Sequence, residues 1–288
     1  MVPLQLLFLG TAAATAFPLP FCCCPACSAA RERGGKDLRC RASLLAEEEL
    51  LIDLGPDAPA SAERLGADFS RVRFLLQTHA HSDHFDPGHL ITRHPDYAGK
   101  NRLPLAIAAS PETLAAMARR LRGEDPEADL FSPDFQRKLG LALVPLRHGE
   151  TVFLGEYRVT ALESLHDPAE NSLIFRVSKG GAAFLYGTDL PELSPRAWDI
   201  LAKEPLDLAI LDQTYGAGIA GSGHLNADGA AAIADRMRRE HVLKPGGAVY
   251  ATHLSHEGNK AHQEAEALAA ARGYHIAFDG LRLRAGGQ

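Results

Sequence analysis

The segment Thr78-His79-Ala80-His81-Ser82-Asp83-His84 sets four metal-capable side chains into six residues, shortly after the apolar run Phe74-Leu75-Leu76. A neutral imidazole offers one lone pair to a borderline cation, and a carboxylate supplies the negative charge that a water-activating site must balance. The mixture therefore suits metal-dependent hydrolysis with Zn or Mn. If the strand pleat continues past Thr78, His79 and His81 point the same way, while Asp83 and His84 fall where the chain turns into a helix. The spacing predicts a metal site at the end of a buried strand, with two ligand sets for two adjacent ions. A solvated His-rich loop is the bland alternative.

These residues match the HxHxDH signature of the metallo-β-lactamase superfamily, and the chain resembles a hydrolase of that superfamily over nearly its whole length. The resemblance implies three further ligands at strand ends, here His166 after Tyr157–Leu162, Asp189 after Ala183–Thr188 and His253 after Ala248–Thr252. By the same resemblance His79, His81 and His166 would hold one ion, Asp83, His84 and His253 the second, and Asp189 would bridge them. His148, in Leu146-Arg147-His148-Gly149, competes with His166 but precedes a Gly-Glu turn, so it ranks second.

Phe21-Cys22-Cys23-Cys24-Pro25-Ala26-Cys27 packs four of the five cysteines into six residues. Adjacent cysteines rarely bridge one another, and thiolates this close suit a structural zinc knuckle with four N or S ligands. The segment resembles the CxCxxC element of cyclic-phosphate phosphodiesterases attached to carbon-phosphorus lyase pathways, which implies Cys22, Cys24 and Cys27 as ligands and His256 as the fourth. Cys23 in place of Cys22 or Cys24 stays open, and Cys40 is a spectator. Buried or lipidated thiols are the other reading of the cluster.

The elements that must position these groups are legible in outline. Short strands are expected at Leu4–Leu9, Ala42–Ala46 and Glu49–Asp53, then the strand before the metal motif. Ser110 is a suitable cap and Pro111 a suitable first residue for a helix over Pro111–Leu121, and Gly123–Leu139 reads as a helical insert near the mouth of the site. Strands recur from Leu141 to Thr188. A helix follows from Ser194-Pro195 to about Ala202, then a buried strand at Leu206–Asp212, a long helix over Ala227–Glu240 and another from Asn259 to a capping Gly273. Tyr274–Arg284 would close the sheet. The succession is what an αββα sandwich of two mixed β-sheets flanked by helices would give, the α/β fold that the resemblance implies. The whole of 1–288 is expected to be one hydrolase domain, with the knuckle at about 21–28 and the insert at about 110–140.

The opening Met1–Gly10 looks superficially like a secretory leader. No Lys or Arg precedes Arg31, and Pro3 and Gln5 interrupt the short apolar run, so a first strand with a FLGT-like turn is the preferred reading. No stretch approaches a membrane span of about 20 apolar residues. A cytoplasmic setting, where free thiols survive to bind metal, follows as an expectation. With 46% hydrophobic residues the chain can bury a large core, and a net charge of −6 with pI ≈ 6.1 argues against a partner that is long nucleic acid. Arg236-Met237-Arg238-Arg239 reads as an exposed helix face.

These features favour a phosphodiesterase acting on a small cyclic phosphate or short phosphodiester, such as a phosphoribosyl 1,2-cyclic phosphate. Two divalent transition-metal ions (Zn or Mn, with Fe also admitted) would activate a water, and one structural Zn would fill the knuckle. The candidate catalytic residues are Asp83, His224 and Asp212. His224, in Gly221-Ser222-Gly223-His224, can be carried over the metals by a Gly-rich loop, and its counterpart in the related phosphodiesterases supports a role as general acid or phosphate clamp. Asp53 and Asp212 are suited to fixing imidazole tautomers. The alternatives are an RNA-processing nuclease of the tRNase Z type and a non-enzymatic role for the metals or thiols. β-Lactam hydrolysis ranks low, and so does a PQQ-biosynthesis-like protein, which shares the cysteine element but usually lacks a full HxHxDH. A homodimer fits the habit of related enzymes.

Overall fold

The computed structural model of the protein describes residues 3–99, 102–167 and 169–286. The start of the leader-like segment, Met1 and Val2, and the C-terminal end of the expected single domain, Gly287 and Gln288, lie outside the described residues. The first half of the chain forms β1 (Leu4–Gly10), β2 (Ser43–Ala46), β3 (Leu50–Ile52), β4 (Phe74–Leu76), β5 (Leu105–Ala109) and β6 (Leu141–Pro145). The second half forms β7 (Thr151–Leu154), β8 (Tyr157–Glu163), β9 (Leu173–Lys179), β10 (Ala182–Gly187), β11 (Leu206–Asp212), β12 (Leu243–Thr252), β13 (His275–Ile276) and β14 (Arg282–Ala285). They assemble into two seven-stranded sheets, ordered β14-β1-β2-β3-β4-β5-β6 and β13-β12-β11-β10-β9-β8-β7.

Alternation along the strands explains the layering. On β1, Leu6 and Phe8 enter the core between the sheets while Leu7 and Leu9 face outward. On β11, Leu208 and Ile210 point inward and Ala209 and Leu211 outward. Each sheet is thus apolar on both faces and needs a helical layer outside it. Helices α2 (Ala58–Leu65), α3 (Pro111–Glu124) and α4 (Pro133–Leu139) cover the first sheet, and α5 (Pro195–Leu201), α6 (Ala227–Arg239) and α7 (His262–Ala270) the second. Helix α1 (Pro25–Arg33) lies in the cysteine segment. Every fully buried Leu or Phe in these layers contributes about 1.5–3 kcal/mol. This is the expected αββα sandwich.

Several helix starts follow from local chemistry. The Ser110 hydroxyl accepts from the Thr113 amide with Pro111 at the first turn, Ser194 does the same for Ala197, and the Asn226 side chain accepts from Gly229. Two expectations need correction. Tyr274–Arg284 is not one closing strand: β13 pairs with β12 in one sheet and β14 with β1 in the other, because the chain crosses between layers at Phe278–Gly280. The region 110–140 holds helices α3 and α4, but they pack their apolar faces (Leu114, Met117, Leu121, Leu139) onto the outside of the first sheet and contribute nothing to the lining of the cavity over the site. The leader-like segment from Leu4 on is a strand inside the sheet, between β14 and β2. Among the described residues no helix is long and apolar enough to cross a membrane.

Candidate metal centre

Strand direction brings the candidate residues to one edge. β3, β4 and β5 run parallel, as do β10, β11 and β12, and β8 is antiparallel to β9, which is antiparallel to β10. His79–His84, His166, Asp189 and His253 therefore all leave carboxyl-terminal strand ends. A backbone bond from Leu173 N to Thr78 O ties the two sheets beside them. Strand β4 ends at Leu76, so the pleat does not carry His79 and His81; their rings are nevertheless neighbours, with centroids 4.5 Å apart. Asp53, Asp189 and His253 take left-handed φ angles of 65°, 51° and 62°. Asp and His tolerate that region better than most residues, and the turn aims each side chain back over the sheet edge.

Two groups of donors result. His79, His81 and His166 form one, and Asp83, His84, Asp189 and His253 the other, with the ligand atoms of each group within 4.8 Å of one another. Asp189 stands between them: Oδ1 lies 3.6 Å from His166 Nε2 and 4.0 Å from His79 Nε2, and Oδ2 lies 2.7 Å from His84 Nε2 and 3.4 Å from His253 Nε2. Asp83 Oδ2 is 3.1 Å from His84 Nε2 and 3.3 Å from His253 Nε2. The competitor His148 lies outside both groups, its Nδ1 accepting from the Glu163 amide at 2.8 Å.

The far nitrogen of nearly every ring is engaged. Asp53 Oδ2 holds His84 Nδ1 at 2.8 Å, and Asp53 Oδ1 accepts from the Thr78 hydroxyl, which contacts His79 Nδ1 at 2.9 Å. Gln77 Nε2 donates to Asp53 Oδ1 at 3.0 Å and to His84 O at 2.8 Å, locking this frame. Asp212 Oδ1 accepts from the Thr214 hydroxyl, which meets His253 Nδ1 at 2.8 Å. Gly223 O accepts from His166 Nδ1 at 2.7 Å, and Asp167 Oδ2 lies 3.4 Å from His81 Nε2. These contacts leave an unprotonated nitrogen pointing into each group, the tautomer a metal ligand needs.

The inward atoms fit cations and little else. His79 Nε2 and Asp189 Oδ2 are buried without a hydrogen-bond partner, although Asp189 Oδ2 sits 2.7 Å from a ring nitrogen. Carboxylate oxygens and ring nitrogens converging in a dry pocket are costly unless positive charge enters, as a metal ion or, without one, as a proton on the rings. The titration behaviour has the same origin. Burial opposes charge on His84, yet Asp189, Asp83 and Asp53 overrule it and raise the ring well above its usual value. Burial likewise works against the Asp83 and Asp189 carboxylates, but the surrounding imidazoles hold both far below the ordinary range. His79, pushed down by burial and by His84 and His81 despite Asp189, stays neutral.

A second donor set lies nearby. Cys22, Cys24, Cys27 and His256 bring their ligand atoms within 4.8 Å of one another, with His256 Nδ1 3.4 Å from Cys24 Sγ and 3.7 Å from Cys22 Sγ. Cys23 is exposed and outside the group, and Cys40 stands apart with Arg64 Nη2 3.7 Å from its sulfur. His256, the Cys27 amide and Cys22 lower the Cys24 thiol to about 6, whereas burial first and then its sulfur neighbours raise Cys27 to about 11. A site of three thiolates and one imidazole suits Zn. Backbone bonds from Ala13 N to Leu254 O and from Leu254 N to Thr11 O fasten the stretch that leads into the cysteine segment to the chain just past β12.

Over the metal groups opens a cavity of about 310 Å³ whose lining includes Thr15, His81, His166, Tyr215, His224 and Glu257. His224 belongs at its rim: Nδ1 faces Asp212 Oδ2 at 2.8 Å and Thr214 Oγ1 at 3.1 Å, and its ring stacks on His253 with centroids 5.3 Å apart. Nε2 is therefore the nitrogen left for proton exchange. Thr78, Thr214, Gln77 and Asp167 are framework residues that the sequence reading did not single out. Asp-x-Thr at 212–214 and a Thr directly before the first His were the available signals.

Comparisons agree with this geometry. The profile of the Beta-lactamase superfamily domain matches residues 48–253. Among solved structures the chain is similar to "a new diphosphatase from the PhnP family", with TM-score 0.72, 23% identity, 98% of this chain covered and 97% of that one. It is similar to Zn(2+)-bound PqqB from Methylobacterium extorquens, with TM-score 0.70, 18% identity and coverage of 97% and 99%. It is also similar to the short form of human tRNase Z, with TM-score 0.64, 19% identity and coverage of 98% and 100%. No curated protein matches the sequence. With the family profile spanning the HxHxDH motif through His253 on an αββα sandwich, the chain belongs to the metallo-β-lactamase superfamily of hydrolases.

Proposed function

We propose that the protein is a metal-dependent phosphodiesterase that hydrolyses a small cyclic phosphate or short phosphodiester, with His79, His81 and His166 holding one ion, Asp83, His84 and His253 the other, and Asp189 serving both. The observation that carries the reading is the meeting of two donor groups at the two oxygens of Asp189, each imidazole presenting its free nitrogen inward. Held by these residues, two divalent ions, Zn or Mn, would supply a water of lowered pKa and positive charge to offset that of the phosphodiester. The protein's own part is orientation and proton transfer. Asp53 and Asp212 fix the rings, His224 Nε2 delivers a proton to the departing oxygen, and Asp212 keeps the His224 ring turned toward the cavity. Cys22, Cys24, Cys27 and His256 would hold a structural zinc, fastening the N-terminal segment beside the mouth.

The cavity of about 310 Å³ suits a small substrate, at the lower end of the range for small-molecule sites, about 300–1,000 Å³. A net charge of −6 weighs against long RNA as the substrate. The test is metal analysis of the purified protein with hydrolysis of bis(p-nitrophenyl) phosphate, ribose 1,2-cyclic phosphate and pre-tRNA. Turnover of the small diesters by metal-loaded protein is expected. Cleavage of pre-tRNA alone, or no turnover of any diester, would overturn the reading.

A further inference from the structure

We infer that the mouth of the site selects a substrate whose only phosphate is the reacting one and whose remainder is uncharged and hydroxyl-bearing, with Tyr215 and Glu257 as the specificity-determining residues. This rests on the phosphodiesterase reading and narrows its substrate class.

Beyond the metal-facing side chains and His224, the lining includes Thr15, Tyr215, Ser255 and Glu257, and among the described residues lining it there is no Lys or Arg. Arg41, behind the lining residue Ala14, is already committed: its Nε donates to Ala14 O and its Nη1 pairs with Asp57 at 3.0 Å. Among the described residues a second phosphate would therefore find no lysine or arginine at this mouth. It would find a carboxylate instead, since Glu257 is exposed at the rim. Like charges set face to face are a standard means of rejecting a competitor.

The backbone of Glu257 is held in place. Its backbone amide donates to Ser255 Oγ at 3.0 Å, while that buried hydroxyl donates to Thr214 O at 2.7 Å and lies 3.4 Å from Glu257 Oε2. Tyr215 is equally constrained. Gly221 lies so close on its ring that an added Cβ would fall 1.9 Å from Tyr215 Cε2, and the ring stands edge-on to His224 at 6.1 Å. Burial, with the Glu257 charge next, raises the Tyr215 hydroxyl above its usual value, so it remains a donor. A phenol donor and a rim carboxylate acceptor lining one cavity, with the imidazole that protonates the leaving oxygen, match the neighbouring hydroxyls of a sugar.

The test is calorimetric titration of the metal-loaded protein with two probes, ribose 1,2-cyclic phosphate and its 5-phosphorylated counterpart. Wild type is expected to bind the first about tenfold more tightly, Glu257→Gln to lose most of that preference, and Glu257→Lys to reverse it. Tyr215→Phe should weaken the unphosphorylated probe several-fold, roughly one lost hydrogen bond. Tighter binding of the 5-phosphorylated probe by wild type, a preference unchanged in Glu257→Lys, or binding of neither probe would overturn the inference. Hydrolysis of bis(p-nitrophenyl) phosphate by the same sample judges the phosphodiesterase reading separately: an active protein with the opposite preference loses only the inference, and an inactive one loses the reading while the binding ratio still judges the mouth.

Discussion

Asp53 and Asp212 are counterparts on the two facing sheets: each is completely buried, each gives one oxygen to the amide and hydroxyl of a threonine and the other to an imidazole Nδ1 at 2.8 Å. The threonine hydroxyl then reaches a further ring, His79 from Thr78 and His253 from Thr214. One carboxylate thereby governs two imidazoles on each side. The pair differs in what it governs. Both rings of Asp53 face the metal groups, whereas Asp212 controls one ligand and the rim residue His224.

Asp53→Asn should accordingly act on metal retention before chemistry. An amide in place of the carboxylate can offer hydrogens to His84 Nδ1, which moves the ring proton to Nε2 and blocks the nitrogen facing Asp83 and Asp189. The expected loss of metal affinity is about 10–100-fold, read by competition with a chelator, with the circular dichroism of the fold retained. Undiminished affinity would show that Asp53 does not set the tautomer.

His224→Gln should separate leaving groups. If Nε2 protonates the departing oxygen, turnover of ribose 1,2-cyclic phosphate falls by about 10²–10⁴ because an alkoxide cannot leave unaided. Bis(p-nitrophenyl) phosphate, whose phenolate leaves without a proton, should be much less affected. Asp212→Asn should show the same asymmetry with an added loss of metal, since it also orients His253 through Thr214. Equal losses on both substrates would assign His224 to clamping the phosphate.

Local signals made the layers and the ligand groups legible. Leu6, Phe8 and Leu7, Leu9 alternate as a doubly covered strand must, and His79 to His84 carry their chemistry in their spacing. What escaped depends on distance in the chain. The two short strands within Tyr274–Arg284 could not be assigned to different sheets without knowing how the layers stack, and nothing in Gly123–Leu139 states which face of a sheet it covers. Thr78 and Thr214 are ordinary residues until a carboxylate from elsewhere gives their hydroxyls a direction. Cys23 illustrates the same limit: its spacing was as suitable as that of Cys22 or Cys24, and only the position of His256 separates them.

Cys24→Ser tests the knuckle. Its thiol, lowered to about 6, is the sulfur nearest His256 and also caps α1 by accepting from the Cys27 amide. Serine keeps a capping oxygen but is a poor zinc ligand, so the substitution should remove zinc with little change in helix initiation. The expected outcome is one zinc fewer per chain and a Tm lower by about 5 °C or more. A full zinc complement in Cys24→Ser would exclude this donor set.

His262 gives the fold a pH dependence away from the metal groups. Its amide donates to Asp37 Oδ1 at 2.6 Å, and its Nδ1 accepts from Arg39 Nη2 at 3.1 Å, a contact only the neutral ring can make. Burial first, then Arg39 and Lys36, outweigh Glu266 and Asp37 and push the imidazole from its ordinary 6.5 to about 4. Between those values the unfolded chain binds a proton that the folded chain refuses. Stability from this group is therefore complete above pH 6.5 and is lost as pH falls toward about 4. In His262→Gln that part of the acid sensitivity should vanish, so the gap between wild-type and variant Tm narrows as pH drops from 6.5 to 4. A gap that stays constant across the interval would mean that the ring titrates alike in both states.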